Sequence, residues 1–128
     1  MTAKHRLSVG IDIEIEGIGI ARGELKRYLA PMTFDEIVKK LPIDGVAVLK
    51  ENTLQISINV DIMRGSEKQV SKINRGDILY WPANNSILIL LEERPAWFQS
   101  VKIGSVQEGL STLSSVAQGA RVKIKARD

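Results

Sequence analysis

The residues best suited to ligand chemistry lie in the segment Tyr80–Ser86, where two aromatic residues precede a proline and two asparagines. The amides of Asn84 and Asn85 could donate and accept hydrogen bonds toward a peptide or a small molecule. Tyr80 and Trp81 are neighbours on a predicted strand, so they should point to opposite faces, and only one can line a given site. We expect Trp81 to be that residue. The alternative is a purely structural role, in which both aromatics pack in the core and the asparagines stabilise the turn of a hairpin.

Two further groups of residues could contribute to binding. Gln55, Ser57 and Asn59 alternate along one predicted strand and form a neutral polar face. That face is either solvated or part of a groove that hydrogen-bonds a peptide backbone. Trp97 and Phe98 lie in a predicted loop, either as a lid over the core or as an exposed aromatic patch for a partner.

The composition argues against several catalytic classes. The chain has no cysteine, which excludes disulfides, thiolate metal sites and cysteine nucleophiles. The single histidine is His5, so a histidine-based metal site or a serine–histidine–aspartate triad is not expected. We therefore assign no catalytic residue, no metal ligand and no cofactor from the sequence.

The length and charge fit one small globular domain. The 128 residues are expected to form a single domain over 1–128, with 1–8 loosely held. No apolar run is long enough to span a membrane, and the N-terminus alternates apolar with charged residues unlike a signal peptide, so a cytoplasmic protein is expected. A net charge of +3 without a clustered basic patch or a known module argues against nucleic-acid binding. The oligomeric state is left open.

The elements that must position these residues follow from hydrophobic periodicity. A strand is predicted over Val9–Ile15, with either a bulge or a turn at Gly17, a turn at Gly23, and a second strand over about Glu24–Leu29. A helix is predicted over Phe34–Leu41 because apolar residues recur at i, i+3, i+4 and i+7. Thr33 and Glu36 have the spacing of a capping box for it.

Two hairpins and a second helix complete the prediction. Strands on either side of Lys50–Thr53 form one hairpin, and strands on either side of Pro82–Ser86 form the other, whose second arm is apolar on both faces. Residues 61–74 are predicted to be a loop with a short strand near 70–73. A short strand at 101–103 precedes a helix capped by Ser105, and a last strand contains Val122. Seven or eight short strands with hairpin turns favour an antiparallel barrel or sandwich.

Three segments carry a resemblance to a known family. "ELKRYLAPMTFDEIVKKL" resembles the first helix of cyclophilins and the strand before it, and "IGSVQEGLSTL" resembles their late strand-to-helix junction. "RGDILYWPANNSILILL" resembles a hairpin of a small prokaryotic group, the cyclophilin-like domains of unknown function. The resemblance spans about residues 13–125. It implies a mainly β fold, a closed eight-stranded antiparallel barrel with two short helices, one at each end.

The same resemblance implies little about activity. Cyclophilin isomerases use an arginine that hydrogen-bonds the substrate around the prolyl nitrogen, and the comparable stretch here, "TLQISINVDIM", has none. Ser100 stands about where those enzymes carry a histidine, although Trp97 matches their tryptophan. We therefore expect a domain that binds a peptide or small molecule without classical prolyl isomerase catalysis. The alternatives are a weak peptidyl-prolyl isomerase and an interaction or assembly module that uses Trp97 and Phe98.

The resemblance also places the first and last strands side by side. Acidic residues alternate on the first strand and basic residues on the last, so we expect them to pair across the two strands, each pair stabilising the sheet by roughly 0.2–1 kcal/mol. A metal site at the carboxylates is the less favoured alternative. The residues concerned are Asp12, Glu14, Glu16, Arg121, Lys123, Lys125 and Arg127.

Overall fold

A computed structural model describes residues 7–62, 67, 72–95 and 99–127. Eight of its strands close into an antiparallel barrel in the order β1-β10-β3-β4-β7-β6-β9-β2, and two short strands, β5 and β8, pair separately. The predicted closed eight-stranded barrel is confirmed. The strands are β1 Ser8–Ile15, β2 Gly19–Lys26, β3 Ile43–Lys50, β4 Thr53–Ile58, β5 Lys72–Ile73, β6 Asp77–Trp81, β7 Ser86–Leu90, β8 Arg94–Pro95, β9 Val101–Glu108 and β10 Ala120–Ala126.

The main core fills the barrel. The alternate apolar residues of β1, from Val9 to Ile15, all point inward, as their period of two predicts. β7 is buried at every position because its outer face is also covered. The cover is a second cluster in which Trp81 packs against buried residues of β5, β6 and β7, namely Ile73, Leu79, Leu88 and Leu90.

The first hairpin turns earlier than predicted. Gly17 has φ of +81° in the turn that joins β1 to β2, so the turn alternative applies at this glycine and the bulge does not. The turn predicted at Gly23 is wrong, because Gly23 lies within β2 and pairs with Ile11 of β1. A Cβ at Gly23 would stand 2.8 Å from the carbonyl oxygen of Ser105, so this glycine allows β2 and β9 to approach closely.

The first helix, α1, begins three residues earlier than predicted and spans Pro31–Lys40. Pro31 occupies the first helical turn, where a missing N–H costs nothing and the fixed φ favours the helix. The predicted capping box is wrong, because the N-cap residue is Ala30, which has no side-chain cap, and Thr33 lies inside the first turn. Phe34, Ile37 and Val38 bury the predicted apolar stripe in the barrel core.

The second predicted helix is present but begins later than predicted. β9 continues to Glu108, so Ser105 is not an N-cap, and only a 3-10 helix over Leu110–Ser115 follows. Gly109 precedes that helix with φ of +84°. Residues 105–108 are strand because β9 pairs with β2 as far as Glu108 and with β6 as far as Ser105.

Both later hairpins are confirmed. Glu51 and Asn52, both with positive φ, form the tight turn between β3 and β4. A 3-10 helix over Pro82–Asn84 and Asn85, in the left-handed conformation at φ 46°, join β6 to β7. The predicted short strand near 70–73 is observed as Lys72–Ile73.

The barrel closes between the first and last strands as the charge pattern predicts. β1 and β10 are antiparallel neighbours, with Asp12 opposite Lys125 and Glu14 opposite Lys123. Two ion pairs cross this seam, Lys125–Glu14 at 2.6 Å and Arg127–Asp12 at 3.7 Å. Lys123 instead contacts Asp44 of β3 at 3.8 Å.

Candidate functional site

The aromatic pair divides between the two faces of β6. Tyr80 is buried in the main core, whereas Trp81 packs in the outer cluster with β7. Of the two, Tyr80 borders a cavity formed by described residues, and the expectation that Trp81 lines a binding site stays a prediction. The period of two predicted the opposite directions but not which aromatic occupies which face.

That cavity, here called the mouth pocket, lies where β6 ends and β9 begins, at one end of the barrel. Its volume is about 280 Å³. The wall combines apolar side chains with a hydroxyl, a phenol, an amide and one carboxylate. The lining residues are Ile62, Glu67, Tyr80, Pro82, Ala83, Gln99, Ser100 and Val101.

Ser100 is the unusual member of this wall. The residue is 1% exposed, and its Oγ has no hydrogen-bond partner among the described residues. A buried hydroxyl without a partner costs roughly 1–3 kcal/mol, so it is retained only where something offsets it. The sequence marked Ser100 as the replacement for a cyclophilin histidine but gave no sign that its hydroxyl would be buried and unpartnered.

Glu67 connects the mouth pocket to helix α1. Its carboxylate accepts hydrogen bonds from the backbone N–H of Met32 at 2.8 Å, from the backbone N–H of Thr33 at 3.1 Å, and from the Thr33 hydroxyl. The group therefore satisfies free donors at the positive end of the helix. No pattern in the sequence indicated a role for Glu67, because this residue lies in a stretch without periodicity and caps a helix more than thirty positions away.

The two asparagines that were predicted to bind a ligand form hydrogen bonds within and beside the β6–β7 hairpin. Asn85 Oδ1 accepts from the Tyr80 hydroxyl at 2.8 Å, and its Nδ2 donates to the Val60 carbonyl at 2.9 Å. This amide thus joins the hairpin to the segment after β4. The side chain of Asn84 is exposed, and its carbonyl accepts from the Ser86 hydroxyl at 3.0 Å. Neither asparagine lines the mouth pocket, which agrees with the turn alternative.

The polar face of β4 points outward, away from Tyr80. Ser57 and Asn59 line a shallow depression of about 840 Å³ on the outer wall of the barrel, here called the outer groove. Ile20 and Val46, 51% and 45% exposed, are its exposed apolar members. Gln55 donates to Ser86 Oγ at 3.3 Å instead. The outer groove is larger than the mouth pocket, and two of its charged residues, Lys123 and Asp44, pair with each other.

The remaining predicted site residues, Trp97 and Phe98, lie outside the described part of the chain. Both alternatives for them, a lid or an exposed patch, stay predictions.

Two basic side chains, Arg27 and Lys125, have a raised pKa in ion pairs away from the mouth pocket. A two-point contact with Asp35, at 3.0 Å for each hydrogen bond, raises the pKa of Arg27. The hydrogen bond to Glu14 raises the pKa of Lys125.

Within the described ranges, no three or more acidic or histidine side chains gather as metal ligands would. Across those same residues, no helix has the length and apolar character needed to cross a membrane.

The family follows from the sequence match. A family model described as cyclophilin-like matches residues 9–125, which is nearly the whole chain. The chain therefore belongs to the cyclophilin-like family. No curated protein matches the sequence.

Solved structures show the same fold. The chain is similar to the hypothetical protein AF2241 from Archaeoglobus fulgidus, with a TM-score of 0.78 at 20% identity over 98% of this chain and 100% of that one. It is also similar to McbB, solved in complex with tryptophan, with a TM-score of 0.70 at 16% identity over 90% of this chain and 44% of McbB. At these identities the likeness concerns the fold alone.

Proposed function

We propose that this cyclophilin-like domain binds a small organic molecule in the mouth pocket, without the arginine-based chemistry of prolyl isomerases. The observation that carries the proposal is the Ser100 hydroxyl, buried and unpartnered in the wall of a cavity. A polar group left without a partner in the empty protein is compensated when a ligand supplies one. The chain's lack of cysteine suits the cytosol, where we place this activity.

The dimensions of the mouth pocket favour a small molecule over a peptide. Its volume of about 280 Å³ is near the lower end of small-molecule sites, which is about 300 Å³. The apolar side chains of Ile62, Pro82 and Val101 would bury a compact body, and the few polar groups would orient it. McbB, which shares the fold, was solved with tryptophan, so a small-molecule ligand occurs in one protein of this architecture.

The isomerase alternative gains no support from this pocket. A cyclophilin isomerase needs a donor directed at the prolyl nitrogen. Among the described residues that line the mouth pocket none is an arginine, lysine or histidine. A protease-coupled proline isomerisation assay at micromolar protein should show no acceleration, and a clear acceleration would restore this alternative.

The test compares two buried, unpartnered hydroxyls. Thr53 Oγ1 lacks a partner among the described residues, like Ser100 Oγ, but Thr53 does not line the mouth pocket. We expect Ser100→Ala and the control Thr53→Val each to raise the free energy of unfolding by about 1 kcal/mol in urea denaturation. Small-molecule fragments should shift the amide NMR signals of Gln99–Val101, and Ser100→Ala should weaken those shifts whereas Thr53→Val should not. Fragments that perturb only Ser57 and Asn59, unaffected by Ser100→Ala, would contradict the proposal.

A further inference from the structure

We infer that the ligand of the mouth pocket carries a protonated amine, received by the Glu67 carboxylate. The inference rests on the proposed function and names the chemical class of molecule that this pocket accepts. It follows from the charge of the wall and from the hydrogen-bonding capacity that its polar groups have left.

Glu67 is the one charged side chain among the described residues of the pocket wall. The described lysines and arginines form no ion pair with it, and its contacts are to the first turn of α1. A helix N-terminus is equivalent to roughly half a positive charge, so it offsets only part of the carboxylate. The remaining negative charge favours a cation in the pocket.

Glu67 also has an unused acceptor position. A carboxylate offers about four lone-pair sites. Three donors from Met32 and Thr33 occupy it, which leaves about one site for a further N–H donor. The contacts with α1 hold the carboxylate in a fixed orientation before any ligand arrives, and this reduces the ordering cost of binding.

The other polar groups of the wall suit the same ligand. The Tyr80 hydroxyl gives its only proton to Asn85, so it has no proton to donate to a ligand. Ser100 Oγ can accept as well as donate. An ammonium group has three donors and no acceptor, so it can donate to Glu67 and to Ser100 Oγ, whereas a carboxylate ligand would face Glu67 with like charge.

The experiment uses matched triplets of probes on the intact chain. Each triplet pairs an amine with the alcohol and the carboxylate of the same skeleton, such as 2-phenylethylamine, 2-phenylethanol and 3-phenylpropionate. We expect the amine of each triplet to bind most tightly in NMR titrations at neutral pH, with shifts at Gln99–Val101. In Glu67→Gln, the dissociation constant of the amine should rise about tenfold, because a charge-assisted hydrogen bond is lost, while that of the alcohol should change little.

Asp35→Asn is the matched control. It neutralises another carboxylate of α1, one that pairs with Arg27 and does not line the mouth pocket, so amine affinity should change by less than about twofold. Thermal unfolding of both variants checks that any loss of affinity is not a loss of fold. Tighter binding of the alcohols or carboxylates at Gln99–Val101 would overturn the amine inference and leave the proposed function intact. If no probe of any class shifts those signals, both fail.

Discussion

Gly104 shows how strongly one residue position can constrain this barrel. It lies in β9, opposite Leu25 of β2, and a Cβ there would stand 2.1 Å from the Glu24 carbonyl oxygen and 2.9 Å from the Leu25 Cα. Both neighbours are backbone atoms of a paired strand, so neither can move aside without opening the ladder. We expect Gly104→Ala to lower the free energy of unfolding by about 3 kcal/mol or more, measured by urea denaturation.

Gly119 provides the comparison for that substitution. Its φ is +82°, but a Cβ there would meet nothing within 4 Å. Gly119→Ala therefore tests backbone strain without a clash, and we expect a cost of about 1 kcal/mol. Equal denaturation midpoints for the two variants would show that strand contact is not what requires glycine at 104.

At the residue scale, the sequence predicted which side chains alternate but not what each one meets. Tyr80 and Trp81 point to opposite faces as expected, but the sequence did not show which of them packs in the main core. The outcome depended on β5 supplying Ile73 to cover the outer face of the hairpin, and a two-residue strand has little periodicity of its own. Ser100 and Glu67 were missed because their importance arises from distant neighbours.

At the element scale, the sequence predicted an element correctly where its hydrophobic pattern agrees with the strand pairing in the structure. The hairpins around Glu51–Asn52 and Pro82–Asn85 were predicted because period-two strands flank turn-forming residues. The helix predicted from Ser105 begins later, at Leu110, because β9 gains ladders from two neighbouring strands, and these outweigh the start of a helical pattern that is weakened by Gly109. The start of α1 was misplaced because its cap comes from Glu67, distant in sequence.

The β6–β7 hairpin is held to the segment after β4 through one side chain, Asn85. We expect Tyr80→Phe and Asn85→Gly each to reduce stability, and the double variant to lose about 1 kcal/mol less than the sum of the two single losses. Glycine keeps the left-handed conformation at position 85, so the cycle isolates the Tyr80–Asn85 hydrogen bond. The exposed Asn84→Ala should stay within about 0.5 kcal/mol of the parent. Strict additivity of the first two changes would show that the hydrogen bond contributes nothing.

At the scale of the whole molecule, the barrel depends on its closing seam. Strands β1 and β10 are far apart in sequence, and their pairing removes the two edges that an open sheet would expose. The apolar residues of both strands fill the core, and the ion pairs lie on the outside of the same ladder. The charge alternation in the sequence was sufficient to predict this pairing once the family resemblance had placed the strands together.

The ion pair between Lys125 and Glu14 makes the stability of the folded protein fall at alkaline pH. The hydrogen bond to Glu14 raises the pKa of Lys125 in the folded protein above its unfolded value, which is about 10.4 for an ordinary lysine. A raised folded pKa means that the charged lysine stabilises the fold fully below the unfolded value, and this contribution is lost as the pH rises through the folded value. Lys125→Gln should therefore melt at a lower temperature than the parent at pH 7 to 9, and the difference should shrink toward zero above about pH 11.

Lys50→Gln is the control, since the described residues give the exposed Lys50 no ion pair, and it should melt like the parent throughout. A deficit in Lys125→Gln that persists at high pH would mean that the lysine stem packs the seam and that its charge contributes little.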